Sequence, residues 1–206
     1  MIGDIKFLKF LFPSVLVKTT DAGIHLTFDD GPHSIATPSI LDILKARNIH
    51  ASFFLLGQNI QHYPDIAQQI ASEGHQIGNH SYTHTNLFFK NRTFIRKEIL
   101  QTEEVIEATV GKRTRFFRPP YGSMNVTLLN VLKEYGLTCV LWTADSKDFL
   151  PQKSSDIEHR IFQNTSSGSI LLFHDNEYTA PSHRSYLPKL LDTLLEKGFV
   201  FTQLPL

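Results

Sequence analysis

Short apolar runs alternate along the chain with longer segments in which apolar residues recur every three or four positions. The short runs predict strands at 24–28, 51–55, 76–78, 115–118, 137–142, 169–173 and 199–202. The longer segments predict helices at 37–47, 63–73, 93–109, 125–135, 155–164 and 182–197. Gly74, Gly111, Gly136 and Gly198 fall just past four of these helices, where a left-handed residue closes the last turn with least strain. Thr37-Pro38 and Ser155-Asp156 have the composition of helix starts. Such alternation predicts a parallel sheet with right-handed crossovers, doubly wound or closed as a barrel. In both arrangements the loops at the C-terminal strand ends carry the chemistry. No repeat, low-complexity stretch or linker divides the chain, so 24–206 reads as one α/β domain and 1–23 as a segment packing on it.

Composition narrows the chemistry. At 206 residues, with 41% hydrophobic and 19% charged, the chain can bury a full core, which excludes a disordered or collagen-like chain. Twenty Lys and Arg balance twenty Asp and Glu, so no global field draws in a polyanion, and nucleic acid is not an expected partner. The single cysteine, Cys139, excludes an internal disulfide and a Cys-rich zinc module; a metal would have to be held by carboxylates and some of the ten histidines. No apolar stretch approaches the roughly 18 residues of a transmembrane helix. Lys6 and Lys9 ahead of the apolar run 10–17 loosely imitate an export signal, yet no small-residue cleavage site follows. The expectation is therefore cytoplasmic action, with the cell envelope as the alternative.

Titratable residues stand at successive strand ends. Thr27 and Asp29 share a strand face, whereas Asp30 falls where the chain turns at Gly31-Pro32, so two adjacent carboxylates can enter one site in different roles; an ordinary solvated turn is the alternative. His80 and His84 are spaced i, i+4, which on a helical turn would present two imidazoles to one metal, although loop histidines are often merely exposed. Arg118 precedes Pro119 and Pro120, which hold it at a strand tip where its guanidinium either meets a carboxylate or extends to solvent. The fifth strand runs into Asp145 and Asp148, and the sixth ends in His174, with Ile170 and Leu172 below it on the same face.

Taken together, TFDDGP (27–32), HSYTH (80–84), RPPYG (118–122), DSKDF (145–149) and LLFHD (171–175) resemble, in order, the five motifs of the polysaccharide deacetylases, the NodB-like carbohydrate esterase family. The resemblance spans nearly the whole chain and implies a distorted (β/α) barrel of about seven parallel strands that removes acetyl groups from N- or O-acetylated sugars. It implies one divalent metal, zinc first, with cobalt, nickel or manganese as alternatives, held by Asp30, His80 and His84. By the same resemblance Asp29 is the general base, His174 the general acid, Arg118 orients Asp29, Asp148 orients His174, and the Tyr121 backbone N–H helps hold the oxyanion. Leu172, Phe149 and Tyr121 are expected to line the substrate pocket. Phe149 departs from the family, which commonly has Trp there, and this changes the shape and polarity of one wall.

The implied substrate is an N-acetylglucosamine-containing glycan, peptidoglycan or a chitin-type oligosaccharide; the rivals are an O-acetyl esterase of the acetylxylan type and a catalytically silent glycan-binding module. Among the other histidines, His25 is expected to be an interior group, and His33 and His183 to be bystanders in loops or near helix ends, with the border of the cleft as the alternative. Tyr82, Phe88, Phe89 and Tyr178 either stack on sugar rings or pack locally, and Trp142 and Cys139 are expected in the core.

Overall fold

Strands β1 (Val15–Leu16), β2 (His25–Asp29), β3 (Ser52–Leu55), β4 (Gln76–Asn79), β5 (Phe116–Phe117), β6 (Thr138–Val140), β7 (Ala144–Asp145) and β8 (Ile170–His174) form one sheet in the order β1-β6-β5-β4-β3-β2-β8-β7. The computed structural model describes residues 12, 14–180 and 182–205. Every pairing between these strands is parallel. The helices among the described residues are α1 (Ala36–Lys45), α2 (Gly57–His62), α3 (Pro64–Ser72), α4 (Arg92–Val110), α5 (Val126–Glu134), α6 (Ser154–Asn164) and α7 (His183–Glu196). β6 lies beside β5 and β7 beside β8, so the stretch 138–145 joins both ends of the sheet and curls it into a distorted barrel.

Outward-facing Leu26, Phe28, Phe53, Leu171 and Phe173 pack beneath Ile40, Leu44, Leu187 and Leu191 of α1 and α7. Each such side chain, fully removed from water, contributes about 1.5–3 kcal/mol. A second cluster gathers Val15, Val17, Phe117, Leu128, Val131 and Leu132 around β1 and α5. The inward face carries Phe54, Phe116, Val140 and Ile170 low in the barrel, with Leu204 closing the floor, and turns polar toward the C-terminal strand ends.

Three departures from the expected elements have physical causes. The strand expected at 199–202 reduces to one bridge between Ile24 and Phe201. Beyond it the chain crosses the barrel floor, where Leu204 exchanges hydrogen bonds with the Gln76 side chain. The strand expected at 137–142 breaks because the chain changes partner: Leu141 N–H closes the ladder to Leu16 of β1, whereas Thr143 N–H already bonds Ile170 O of β8, and β7 follows as a separate strand. Helix α2 was invisible to periodicity, Ile60 being its one apolar anchor. The export-like Lys6 and Lys9 lie outside the described residues, and no helix among the described residues is long and apolar enough to cross a membrane.

Candidate active site

Parallel register sets Asp29 of β2 directly beside His174 of β8, and Thr27 beside Leu172 one layer below. Asp29 is 3% exposed. Its Oδ1 accepts a 2.7 Å hydrogen bond from Arg118 Nη1, which also donates to Thr27 Oγ1 at 2.8 Å. The remaining guanidinium donors reach Val140 O at 3.3 Å and Leu141 O at 3.2 Å, and the group stacks 4.1 Å from the Phe54 ring centre. Arg118 is thus wholly buried, with four of its guanidinium donors spent on fixed acceptors. Burial pulls its pKa down and Asp29 pulls it back up.

The same residue fixes His80. Its carbonyl lies 2.7 Å from His80 Nδ1; a carbonyl only accepts, so Nδ1 carries the proton and Nε2 presents a lone pair. That lone pair and His84 Nε2 lie 3.5 and 3.2 Å from Asp30 Oδ1. The buried Oδ1 has no hydrogen-bond partner among the described residues, and the three groups offer ligand atoms all within 4.8 Å of one another. A carboxylate oxygen left unpaired beside two imidazole nitrogens is the donor set a divalent cation requires. Burial pushes Asp30 upward but His80, His174 and His84 outweigh it, and its pKa falls well below the ordinary carboxylate range. His84 is pushed down, first by burial and then by His80.

The helical turn expected for His80 and His84 is absent. Ser81 (φ 71°) and His84 (φ 59°) are left-handed, and the segment is a loop. Its peptide N–H groups are taken by side chains: Asn79 Oδ1 accepts from Ser81, and Glu98 Oε2 accepts from Tyr82 at 3.0 Å and Thr83 at 2.9 Å. Asn79 is in turn held by Ile99 O and Glu103 of α4. Glu98 and Glu103 are 4% and 3% exposed and were not singled out from sequence. Yet the signal existed, because they occupy the same helical stripe as Ile95, Ile99 and Ile106, where a carboxylate needs a purpose.

His174 Nδ1 lies 2.8 Å from Asp148 Oδ1, and Asp148 Oδ2 accepts from His174 N–H and from the Tyr186 hydroxyl, both at 3.0 Å. Burial works against the imidazolium, but Asp148 overrides it and raises the His174 pKa to about 9, with lesser help from Asp30 and Asp29. Tyr186 missed notice because nothing in its helical position distinguishes it from packing. Asp175, one residue on, is a buried carboxyl raised well above the ordinary range by burial; Thr37 donates to it at 2.6 Å. It packs so tightly on Gly31 that a Cβ there would meet Oδ2 at 2.1 Å, which explains the glycine in this turn.

A cleft of about 720 Å³ opens over these groups, with Leu172 at its floor and Tyr121, Phe149, Trp142 and Tyr178 along its walls. Phe149 meets the His174 ring edge-on at 5.1 Å and Tyr121 meets His84 at 4.7 Å. Tyr121 has φ 61°, and the turn is closed by Gly122 N–H to Pro119 O and Ser123 N–H to Pro120 O, which leaves Tyr121 N–H outside this pair of bonds. Trp142, expected in the core, is partly buried against two core clusters and also lines the cleft wall. His33 and His183 do not line the cleft: His33 accepts from Ile35 and Ala36 N–H, and His183 lies behind His174, 2.8 Å from its carbonyl. His25 is interior, beside Thr19 at 2.8 Å. Of the loop aromatics only Tyr178 borders the cleft; Phe88 and Phe89 meet each other edge-on, and Tyr82 bonds Gln61.

The family described as polysaccharide deacetylase matches residues 17–140. A peptidoglycan-N-acetylglucosamine deacetylase of Bacillus cereus is 39% identical over 188 residues, covering 89% of this chain and 67% of the relative. A chitooligosaccharide deacetylase of Azorhizobium caulinodans is 34% identical over 160 residues, 77% of this chain and 76% of the relative. The chain spans only 38% of the Listeria monocytogenes deacetylase PgdA, at 35% identity over 86% of this chain. Among solved structures, the Bc1960 peptidoglycan N-acetylglucosamine deacetylase superposes with TM-score 0.91 at 35% identity, over 96% of this chain and 94% of that one. The Xyl-CE4 domain of a xylanase from the hindgut metagenome of Trinervitermes trinervoides gives 0.82 at 30%, over 90% and 88%.

Proposed function

We propose that this chain, which belongs to the polysaccharide deacetylase family, hydrolyses the acetamide of N-acetylglucosamine units in peptidoglycan or a chitin-type oligosaccharide. The observation that carries this reading is the placement of a carboxylate and a cationic imidazole, Asp29 and His174, on adjacent strands beside a three-donor cation site. Asp30, His80 and His84 would hold a divalent ion, with zinc favoured by the two imidazoles and one carboxylate. When bound, such an ion supplies Lewis acidity to water and to the acetyl carbonyl.

Asp29 accepts the proton of the attacking water, its orientation fixed by Arg118. Tyr121 N–H is available to the developing oxyanion. His174, kept protonated by Asp148, gives its proton to the departing nitrogen. An amine leaves only as it is protonated, so an acid charged at neutral pH suits amide cleavage better than ester cleavage. Leu172 offers an apolar floor beneath the acid, fitted to the acetyl methyl group.

The Xyl-CE4 likeness favours a second reading, cleavage of O-acetyl groups, by the same machinery. One assay separates them: acetate and free amine are measured after incubation with chitin oligosaccharides, peptidoglycan and acetylxylan, before and after chelation and zinc restoration. Amine appearing with acetate supports N-deacetylation. Acetate from xylan alone supports the esterase, and no acetate from any substrate leaves a silent binding module.

A further inference from the structure

Asn176, two residues beyond His174, has no role in the chemistry above, yet its side chain reaches the site. Its Nδ2 donates to Asp30 Oδ2 at 2.8 Å. The opposite end of the amide is committed, since Asn176 Oδ1 accepts from Tyr178 N–H at 3.0 Å and Thr179 N–H at 3.2 Å. Backbone N–H groups only donate, so oxygen must face them and nitrogen must face Asp30. The loop locks itself further: Thr179 Oγ1 donates to His174 O at 2.9 Å, and Ala180 N–H to Asn176 O at 3.0 Å.

Asp30 is therefore clamped twice. Asn59 Nδ2 donates to its backbone carbonyl at 2.7 Å from one side of the cleft, and Asn176 holds Oδ2 from the other. Only Oδ1 is left, buried, unpaired and facing His80 and His84. With the metal reading given above as its premise, we propose that Asn176 is a positioning residue that makes Asp30 a single-oxygen ligand and so sets the affinity and geometry of the cation site. Without the amide, Oδ2 is free to swing toward the cation, and the carboxylate loses its orientation. Hydrogen-bond partners of metal ligands typically govern about 10–100-fold in metal affinity.

The test compares the parent with Asn176→Ser and Asn176→Ala. Serine retains a short acceptor for the loop N–H groups but cannot span to Asp30, and alanine removes both functions. Zinc affinity is measured by competition with a chromophoric chelator, and cobalt(II) spectra report ligand geometry through the visible bands. Melting of the metal-free proteins reports the fold. Expected are a zinc Kd raised about 10–100-fold in both variants, altered cobalt bands, and a metal-free Tm for Asn176→Ser close to that of the parent. Parent-like zinc binding and cobalt bands in Asn176→Ser overturn the proposal. A lowered metal-free Tm with unchanged zinc affinity in either variant also overturns it, the residue then serving the loop alone. A parent that binds no zinc overturns the metal reading, and this inference with it.

Discussion

Replacing Asp148 with asparagine should move the catalytic acid without moving the metal. In the parent, burial opposes the charge on His174, yet its pKa is raised to about 9 because Asp148 sits at 2.8 Å. Relative to the ordinary 6.5, that corresponds to about 3 kcal/mol favouring the imidazolium. Asp30 and Asp29 help, but a bound cation would neutralise much of their effect, so Asp148 carries most of the shift. With the charge removed, the pKa should fall to about 6.5 or below, since burial is then unopposed. At pH 8 the protonated fraction drops from about 0.9 to about 0.03, a loss of about 30-fold in kcat/KM, whereas at pH 5.5 the loss is under twofold. The assay is a pH profile of amine release from a chitin oligosaccharide, with metal content measured at each pH. An activated aryl acetate, whose leaving group needs no proton, should lose less. Stability follows the same sign: the folded pKa is raised, so the pair's contribution is full below about 6.5 and fades as pH rises toward 9. That slope should vanish in the variant. An alkaline limb that stays in place, with both substrates equally impaired, would refute the pairing.

Changes at Asp29 and at the two histidines should separate by metal content. His80→Ala and His84→Ala should lose the ion and activity together, while Asp29→Asn keeps the ion and loses about 10²–10⁴-fold in kcat; equal metal loss in all three would make Asp29 a ligand instead. Glu98→Ala removes the carboxylate that accepts from the half-buried Tyr82 and exposed Thr83 N–H groups, at about 1 kcal/mol for each bond. Chemical denaturation should show it, zinc affinity should fall, and Glu98→Gln should recover part of both; an unchanged Glu98→Ala would mean the loop holds itself. Arg118→Met leaves Asp29 buried without its partner, costing about 3–5 kcal/mol of stability. It keeps the backbone carbonyl that orients His80, so zinc binding by the folded fraction should survive; loss of zinc from a folded variant would contradict the division between side chain and backbone.

The alternation of apolar runs was enough to read a parallel sheet, doubly wound or closed, and to place Asp29, Arg118 and His174 at its C-terminal strand ends, because strand parity and strand ends are local properties; the choice of a barrel rested on the family resemblance. What escaped was everything decided by contacts distant in sequence. The i, i+4 spacing of His80 and His84 suggested a helical turn, but His84 N–H, which such a turn would direct to His80 O, is accepted by Ser81 Oγ instead. The two rings still converge, their centres 5.1 Å apart, by two left-handed residues instead of one helical face. β7 and α2 were too short or too polar to show periodicity. Trp142 was expected in the core and does pack against it; that it also faces the cleft follows from the break between β6 and β7, a contact pattern distant in sequence. Asn176 carried no sequence signal at all, since an asparagine in a loop is ordinary turn vocabulary.

A base and an acid on neighbouring strands invite a short circuit. Asp29 and His174 occupy paired positions of β2 and β8, and left alone a carboxylate and an imidazolium would bind each other and withdraw both from the substrate. Each is instead given its own counter-charge: Asp29 takes Arg118 at 2.7 Å and His174 takes Asp148 at 2.8 Å. Both counter-charges are buried and multiply tied, Arg118 to Thr27, Val140 and Leu141, Asp148 to Tyr186 and the His174 backbone. Neither can relax toward the cleft without stranding those bonds in a low-dielectric interior. Asp29 Oδ2, 3.8 Å from His80 Nε2, and the far nitrogen of His174 are thereby left for the reaction, with their charges balanced by Arg118 and Asp148. Lysine could match the charge of Arg118 but not its simultaneous reach to three fixed acceptors and a carboxylate; the barrel interior therefore requires arginine for reasons of geometry as much as of charge.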